Sequence, residues 1–379
     1  ADTDSALSIS TTRVGIGTAA PLSTMDISAS ATSPTVQIGV YSTTDGHTPI
    51  FRLQKSGSAT IGTMAATADG EALGRIDFNG VDTSSATKIA AMITGYQDGS
   101  PDSDSVLGRL QFHTSDADDA GSPTERMRID SSGNVGIGGA PDSNWDTTDR
   151  PVLEIGRNAS ISSTRGAGDN HAWFASNLYH DGLEWKHISV DANDKGSIIE
   201  LTDGKVKFWN ANVKRAAGST ASEVLNMTID ATGAITAPLQ PAFLARGTGD
   251  QSNFAIDTAV TVVFGTEVFD QGGDFASNTF TAPVSGRYLL SFNLRLQAID
   301  SAASSYEAKI ITSNRYYAAF VFDPDFGQDN AYYDLGGTVL ADMDASDTAY
   351  ITIRQGGGTQ QTDLGGGDTQ SYFSGYLAC

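Results

Sequence analysis

Cysteine is almost missing from this chain: its 379 residues hold one, Cys379. A lone thiol makes no intrachain disulfide, so no disulfide framework holds the fold, which fits synthesis in a reducing cytoplasm. Basic residues are scarce too, 23 Lys and Arg against 45 Asp and Glu, for a formal net charge of −22. That balance argues against nucleic-acid binding, which needs Lys/Arg patches on the phosphate backbone, and it favours solubility and mutual repulsion between particles. No apolar run approaches the roughly 18 residues of a membrane-spanning helix, so no membrane insertion is expected. Ala1–Ser5 has neither the basic nor the apolar region of a secretory signal. The helix formers Leu, Glu and Lys are sparse, whereas Gly, at 41 residues, Ser and Thr are abundant. Short strands joined by tight turns are the expected result.

What is present alternates. Met127-Arg128-Ile129-Asp130 and Lys205-Val206-Lys207-Phe208-Trp209 place apolar residues at every second position, the period of a half-buried strand. A strand–turn–strand unit recurs at residues 7–14, 127–135 and 227–235, with Gly133 and Gly233 in the latter two turns. The first two copies continue alike, Val14-Gly15-Ile16-Gly17 to Pro21 and Val135-Gly136-Ile137-Gly138 to Pro141. Each leads to a further expected strand, Val36-Gln37-Ile38-Gly39 or Val152-Leu153-Glu154-Ile155. Units too small to bury a core alone, set far apart, imply modules strung along a shaft. The boundaries drawn are an N-terminal β stalk or attachment region, 1–126; a second β module, 127–237; a stiff linker, 238–241, with Pro238 and Pro241; and a compact domain, 242–379.

The stretch from Pro123 to Gly138, with Glu125-Arg126-Met127-Arg128-Ile129-Asp130 leading into Ser131-Ser132-Gly133-Asn134-Val135, resembles a motif of phage tail fibres. Gly74-Arg75-Ile76-Asp77-Phe78 and Gly108-Arg109-Leu110-Gln111-Phe112 look like the paired strands that precede it. Residues 176–182 with Trp185-Lys186 resemble the lead into the next copy. Residues 242–379 resemble the globular head of complement component 1q and its tumour-necrosis-factor-like relatives. The match runs through Phe269-Asp270, Phe275, Phe280-Thr281-Ala282-Pro283-Val284-Ser285-Gly286-Arg287-Tyr288 and Phe292, then Leu340, Tyr350, Ile351, Ile353 and Phe373-Ser374-Gly375-Tyr376. Asn278 stands where that family usually has Gly, and Leu289 where an aromatic is common. The two resemblances imply an all-β, elongated homotrimeric fibre ending in a jelly-roll β-sandwich. It would be a virion protein made in the host bacterial cytoplasm, attached to other tail or capsid proteins, and it would bind a host-surface glycan or outer-membrane receptor. Alternatives from other classes are a purely structural trimerising decoration or connector and a polysaccharide depolymerase.

Several clusters carry candidate chemistry. His171, Trp173, His180, Trp185 and His187 fall within seventeen residues. A zinc site, an aromatic platform for sugar rings, or packing inside a shaft with histidines facing a three-fold axis would each use them, and gaps of nine and seven between the histidines favour packing. Asp323, Asp325 and Asp329 with Gly327 faintly resemble a calcium loop but lack its bidentate Glu; solvated loop acids, like Asp342, Asp344 and Asp347, are the plainer reading. No catalytic residue, metal or other cofactor is expected. Ser374 lies outside a nucleophile elbow. The runs at Gly356–Gly358 and Gly365–Gly367 lack the Lys of a phosphate loop and read as mobile loops. Tyr316, Tyr317, Phe326, Tyr332 and Tyr333 are candidates for receptor contact, with core or interface packing as the alternative.

Overall fold

The computed structural model describes residues 7–379 except 31, 120–121, 147, 157, 165–169, 189–194, 214–215 and 368–369; Ala1–Ser5 lie outside the described residues. The described chain is all strand and loop, with no helix. It divides into two compact units, 1–131 and 132–379.

In the first unit, β1 (Leu7–Ile9) and β2 (Val14–Ile16) pair antiparallel, and β2 pairs parallel with β3 (Met25–Ile27). The parallel partner of the first repeat is therefore Met25–Ile27, and the expected strand at 36–39 does not form: among the described residues of 28–71 there is no strand. Then β4 (Ala72–Val81), β5 (Thr87–Gln97), β6 (Gly108–Thr114) and β7 (Thr124–Ile129) follow as an antiparallel meander. The two segments expected to pair with each other, β4 and β6, instead flank β5, which supplies both ladders.

In the second unit, β8 (Val135–Ile137) pairs parallel with β9 (Val152–Ile155), repeating the β2–β3 arrangement. The two copies agree in backbone detail. Gly17 and Gly138 have φ of 77° and 79°, and the amides of Ser28 and Gly156 reach the carbonyls of Ile16 and Ile137 at 2.9 and 2.8 Å. Gly is required before them as well. A Cβ on Gly15 would lie 2.4 Å from the Thr18 carbonyl oxygen, and one on Gly136 would lie 2.3 Å from that of Gly139. The sheet continues through β10 (Ala159–Ser163) and β11 (His171–Ser176). A separate hairpin, β12 (Leu178–His180) and β13 (Trp185–His187), follows. β14 (Gly196–Thr202) then joins β11, and β15 (Lys205–Ala211), β16 (Glu223–Ile229) and β17 (Ile235–Thr236) complete the sheet. The third repeat is the β16–β17 hairpin. Its turn is held by Asp230, whose carboxylate accepts the amides of Thr232 and Ala234, and by Gly233 at φ 88°. The hairpin β12–β13 and Trp145 cover one face of this sheet and bury Trp173, Ala175, Leu178, Tyr179, Trp185 and Ile198.

The segment 238–241 is tied down on the head. The Leu377 amide donates to the Pro241 carbonyl at 3.0 Å, and the Gln240 side-chain amide donates to the Leu377 carbonyl at 2.7 Å. The remaining strands are β18 (Ala242–Arg246), β19 (Val260–Thr261), β20 (Thr266–Gln271), β21 (Phe275–Ala276), β22 (Thr279–Thr281), β23 (Gly286–Ile299), β24 (Ser305–Thr312), β25 (Tyr316–Phe322), β26 (Asn330–Met343), β27 (Thr348–Gly356), β28 (Asp363–Gly365) and β29 (Tyr372–Leu377). They form two six-stranded antiparallel sheets, β20-β18-β29-β23-β26 with β28 on β23, and β21-β22-β27-β24-β25 with β19 on β27. Alternation along β23 buries Tyr288, Leu290, Phe292, Leu294 and Leu296 between the sheets, each contributing roughly 1.5–3 kcal/mol of transfer free energy. Phe280, Val284, Tyr288, Leu290, Phe292, Leu294 and Leu296 alternate in the sequence, so Val284 is expected on the same apolar face; instead it is exposed, lying before β23, and its carbonyl accepts the Tyr288 hydroxyl at 2.7 Å. Phe243 stacks on Phe280 at 4.7 Å and on Phe275 at 5.0 Å, with Phe373 edge-on at 5.0 Å. Jelly-roll packing follows from these two inner faces.

Candidate recognition surfaces

Residues directly opposite in a ladder point to the same face, so the strand register shows which side chains form each surface. In the first unit, Ile76, Ile93, Phe112 and Met127 form one cross-strand row. In the second, Val135, Leu153, Ile161, Phe174, Ile199, Phe208 and Met227 form a row seven strands wide. Beside it run Leu201, Val206, Ile229 and Ile235. Neither of the second unit's rows contains a charged residue, yet Phe174 is 47% exposed. The head repeats the pattern outside its first sheet, where Ala242, Tyr376, Leu289 and Leu340 stand in one row, with Tyr376 48% and Leu340 52% exposed. Among the described residues of the first unit no hydrophobic side chain is buried; Thr94, Gln97, Gln111 and His113 are.

The aromatic–histidine cluster lies on the opposite face of the second unit's sheet, inside the chain's own core. His171 stacks on Trp173 at 5.2 Å, and its Nδ1 is 2.9 Å from Glu200. His180 packs edge-on to Trp185, and its Nδ1 accepts the Gly182 amide at 3.0 Å. Burial, reinforced by the Arg150 charge, lowers the His180 pKa from 6.5 to about 4. His187 is buried on β13. The histidines are dispersed over three strands, and among the described residues no three His, Cys, Asp or Glu side chains form a metal-binding group. The packing component of the expectation describes them. Register adds residues that local sequence did not bring together: Arg150, Glu200, Trp209 and Glu223 join Trp173, Trp185 and His180 around a cleft of about 380 Å³.

The three aspartates of the calcium reading are also not gathered into a metal-binding group. Asp329 accepts from Ser301 at 2.7 Å and from Gln360 at 3.1 Å. Asp347 serves a turn, accepting from the Ser313 hydroxyl, the Asn314 amide and the Asp344 backbone. Within the glycine runs Gly356, Gly365 and Gly366 are buried, Gly357 and Gly367 are half-buried, and Gly358 is exposed. Asp300, itself buried, accepts the amides of Thr359 and Gln360 beside the first run, and the Gly366 amide donates to Asp250 at 3.0 Å. Of the five candidate contact residues, Tyr316 and Tyr332 are 67% and 65% exposed. Tyr333 stacks on Phe322 at 4.4 Å, and Phe326 packs 5.7 Å from Tyr333. Tyr317 packs against the core and donates its hydroxyl to Asp342 at 3.3 Å.

Residues 242–378 match the family model of the C1q domain, and their two packed sheets form a jelly roll. The globular domain of zebrafish complement 1qA is 19% identical over 37% of this chain and 98% of its own, with a TM-score of 0.27. Murine APRIL at pH 8.0 is 11% identical over 36% and 98%, with a TM-score of 0.28. The carboxy-terminal domain of the bacteriophage T5 L-shaped tail fibre is 13% identical over 54% and 90%, with a TM-score of 0.33. No curated protein matches the chain.

Proposed function

We propose that the chain is a structural, non-catalytic fibre or spike protein of a bacteriophage virion that works as a homotrimer. Its jelly-roll head recognises a host-surface glycan or outer-membrane receptor, and its N-terminal modules join other tail or capsid proteins. The observation that carries self-association is the missing core: the described residues of the first unit bury no hydrophobic side chain. Ordering a backbone costs about 1–2 kcal/mol per residue, and buried polar contacts offset little of it. Half-exposed apolar rows become a core only when they meet another surface, and copies of the chain bring identical rows. The uncharged rows of the second unit and the Tyr376–Leu340 row of the head support the same reading. Three-fold closure accords with the C1q domain and limits association to a finite particle. The motif at residues 123–138 supports the phage assignment. Recognition would then work by avidity, three sites per fibre and many fibres per particle.

Light scattering on the full chain tests the assembly: three chains of 39.6 kDa give about 119 kDa, and a clean 39.6 kDa particle overturns it. Virions carrying a chain that stops at Pro241 should assemble but lose adsorption. Unchanged adsorption would reduce the head to a trimerising clamp.

A further inference from the structure

Given the homotrimer proposed above, on which this rests, we propose that residues 36–40 are a strand completed between copies: the segment of one chain adds to the free edge of β4 in another.

Two halves of a ladder stand open in the first unit. Val36-Gln37-Ile38-Gly39-Val40 alternates as a strand does. Yet it belongs to no strand, and the described residues 32–43 make no backbone–backbone hydrogen bond. Val36, Ile38 and Val40 are all exposed. The other half is β4. It ends its sheet, paired with β5 on one side and with no described strand on the other. Proteins guard such an edge with Lys, Pro or short length; β4 runs for 10 residues and has neither Lys nor Pro.

The two halves match. Between the irregularities at Ala72/Gly74 and Phe78/Asn79 the β4–β5 ladder is regular, and that run, Gly74 to Phe78, is as long as the segment. Ile76 and Phe78 share one face and are exposed, and Ile76 ends the apolar row through Ile93, Phe112 and Met127. Arg75 and Asp77 stand on the other face and pair with each other at 2.7 Å. An added strand sets Val36, Ile38 and Val40 beside Ile76 and Phe78, and the uncharged Gln37 and Gly39 beside the Arg75–Asp77 pair. Main-chain hydrogen bonds then give attachment, and the alternate side chains give specificity.

Position and charge both point to another copy of this chain. Within one chain the lead into β4 is held by other residues. Leu53 Cβ lies 2.6 Å from where a Cβ on Gly74 would stand, and Lys55 pairs with Glu71 at 3.1 Å, while 36–40 stays unpaired. No charged residue lies between Asp26 and Asp45, in a chain of net charge −22. Copies can therefore meet through this segment without adding to their repulsion. Three-fold closure uses each segment and each edge once.

The test is a disulfide scan in the full chain with Cys379→Ser. Val36→Cys, Ile38→Cys or Val40→Cys is combined with Ile76→Cys or Phe78→Cys, and the purified particle is oxidised. At least one combination should give a covalent band of three chains on a non-reducing denaturing gel, lost on reduction, while each single variant stays at one chain. A two-chain band from a single variant at 36, 38 or 40 shows the segment meeting its own copy and overturns the proposal. In a particle of trimer mass, a disulfide closed within one chain, or none from any combination, overturns the crossing strand and leaves the homotrimer standing. A 39.6 kDa particle overturns both. Hydrogen exchange on the unmodified chain needs no substitution. The amides of 36–40 should exchange on the order of a hundredfold more slowly than an unstructured peptide, and exchange at the unstructured rate overturns the proposal.

Discussion

His180 shows what burial does to a single titratable group. Unfolded, it takes up its proton near 6.5; folded, burial and the neighbouring Arg150 hold it to about 4. Between those values the unfolded state binds more protons, so stability rises with pH there. The contribution is complete above 6.5 and is lost as pH falls toward 4, a loss of about 3 kcal/mol. Denaturant unfolding followed by tryptophan emission at pH 7.5 and 4.5 should show it, and His180→Gln should remove most of the difference. The head offers a second residue-scale contrast. Tyr333 stacks on Phe322, so Tyr333→Ala should destabilise the head by about 1–2 kcal/mol. Tyr332 faces solvent, so Tyr332→Ala should leave the head's melting temperature within a degree or so; on the proposed function it should weaken cell binding. Calorimetry and adsorption assays separate the two effects.

Elements depend on positions where one atom too many is decisive. Gly136 and Gly139 are three residues apart in the same repeat, yet a Cβ on Gly136 meets the Gly139 carbonyl and the Pro141 ring, while one on Gly139 meets nothing within 4 Å. Gly136→Ala should therefore cost on the order of 2 kcal/mol and Gly139→Ala almost nothing, read as thermal midpoints of the same transition. The sheet of the second unit makes a larger-scale demand. Phe174 and Ile199 are direct cross-strand partners at the middle of the uncharged row. If that row is an interface between copies, Phe174→Glu with Ile199→Glu buries unpaired carboxylates there, a cost of several kcal/mol. Light scattering should then show dissociation. A carboxylate pair at Tyr316 and Tyr332, exposed but outside these rows, should leave the mass unchanged.

At the scale of the whole molecule, the charge opposes the assembly that the apolar rows favour. Each chain carries −22, so copies repel one another over roughly a Debye length, about 10 Å at 0.1 M salt. Raising sodium chloride from 0.02 to about 0.3 M should stabilise the assembled particle, seen as a higher dissociation midpoint in dilution series. A midpoint that falls with salt would point to assembly held by ion pairs instead of apolar contact.

Period, composition and turn chemistry were enough to read an all-β chain, the three repeats and the inward face of β23, because alternation and turn glycines are local properties of the backbone. Length and exposure were not local. The partner of β2 is Met25–Ile27 and not residues 36–39, Val284 faces out, and Gly356, Gly365 and Gly366 of the glycine runs are buried, since each depends on which strand or loop arrives from elsewhere. The cleft is the clearest case. Its histidines and two of its tryptophans stood out as a cluster in the chain, but Arg150, Glu200, Trp209 and Glu223 reach it only through cross-strand register. The sequence by itself determined strand, turn and repeat; only the tertiary structure decided which faces are covered and which remain apolar and bare, because burial is a property of neighbours distant along the chain.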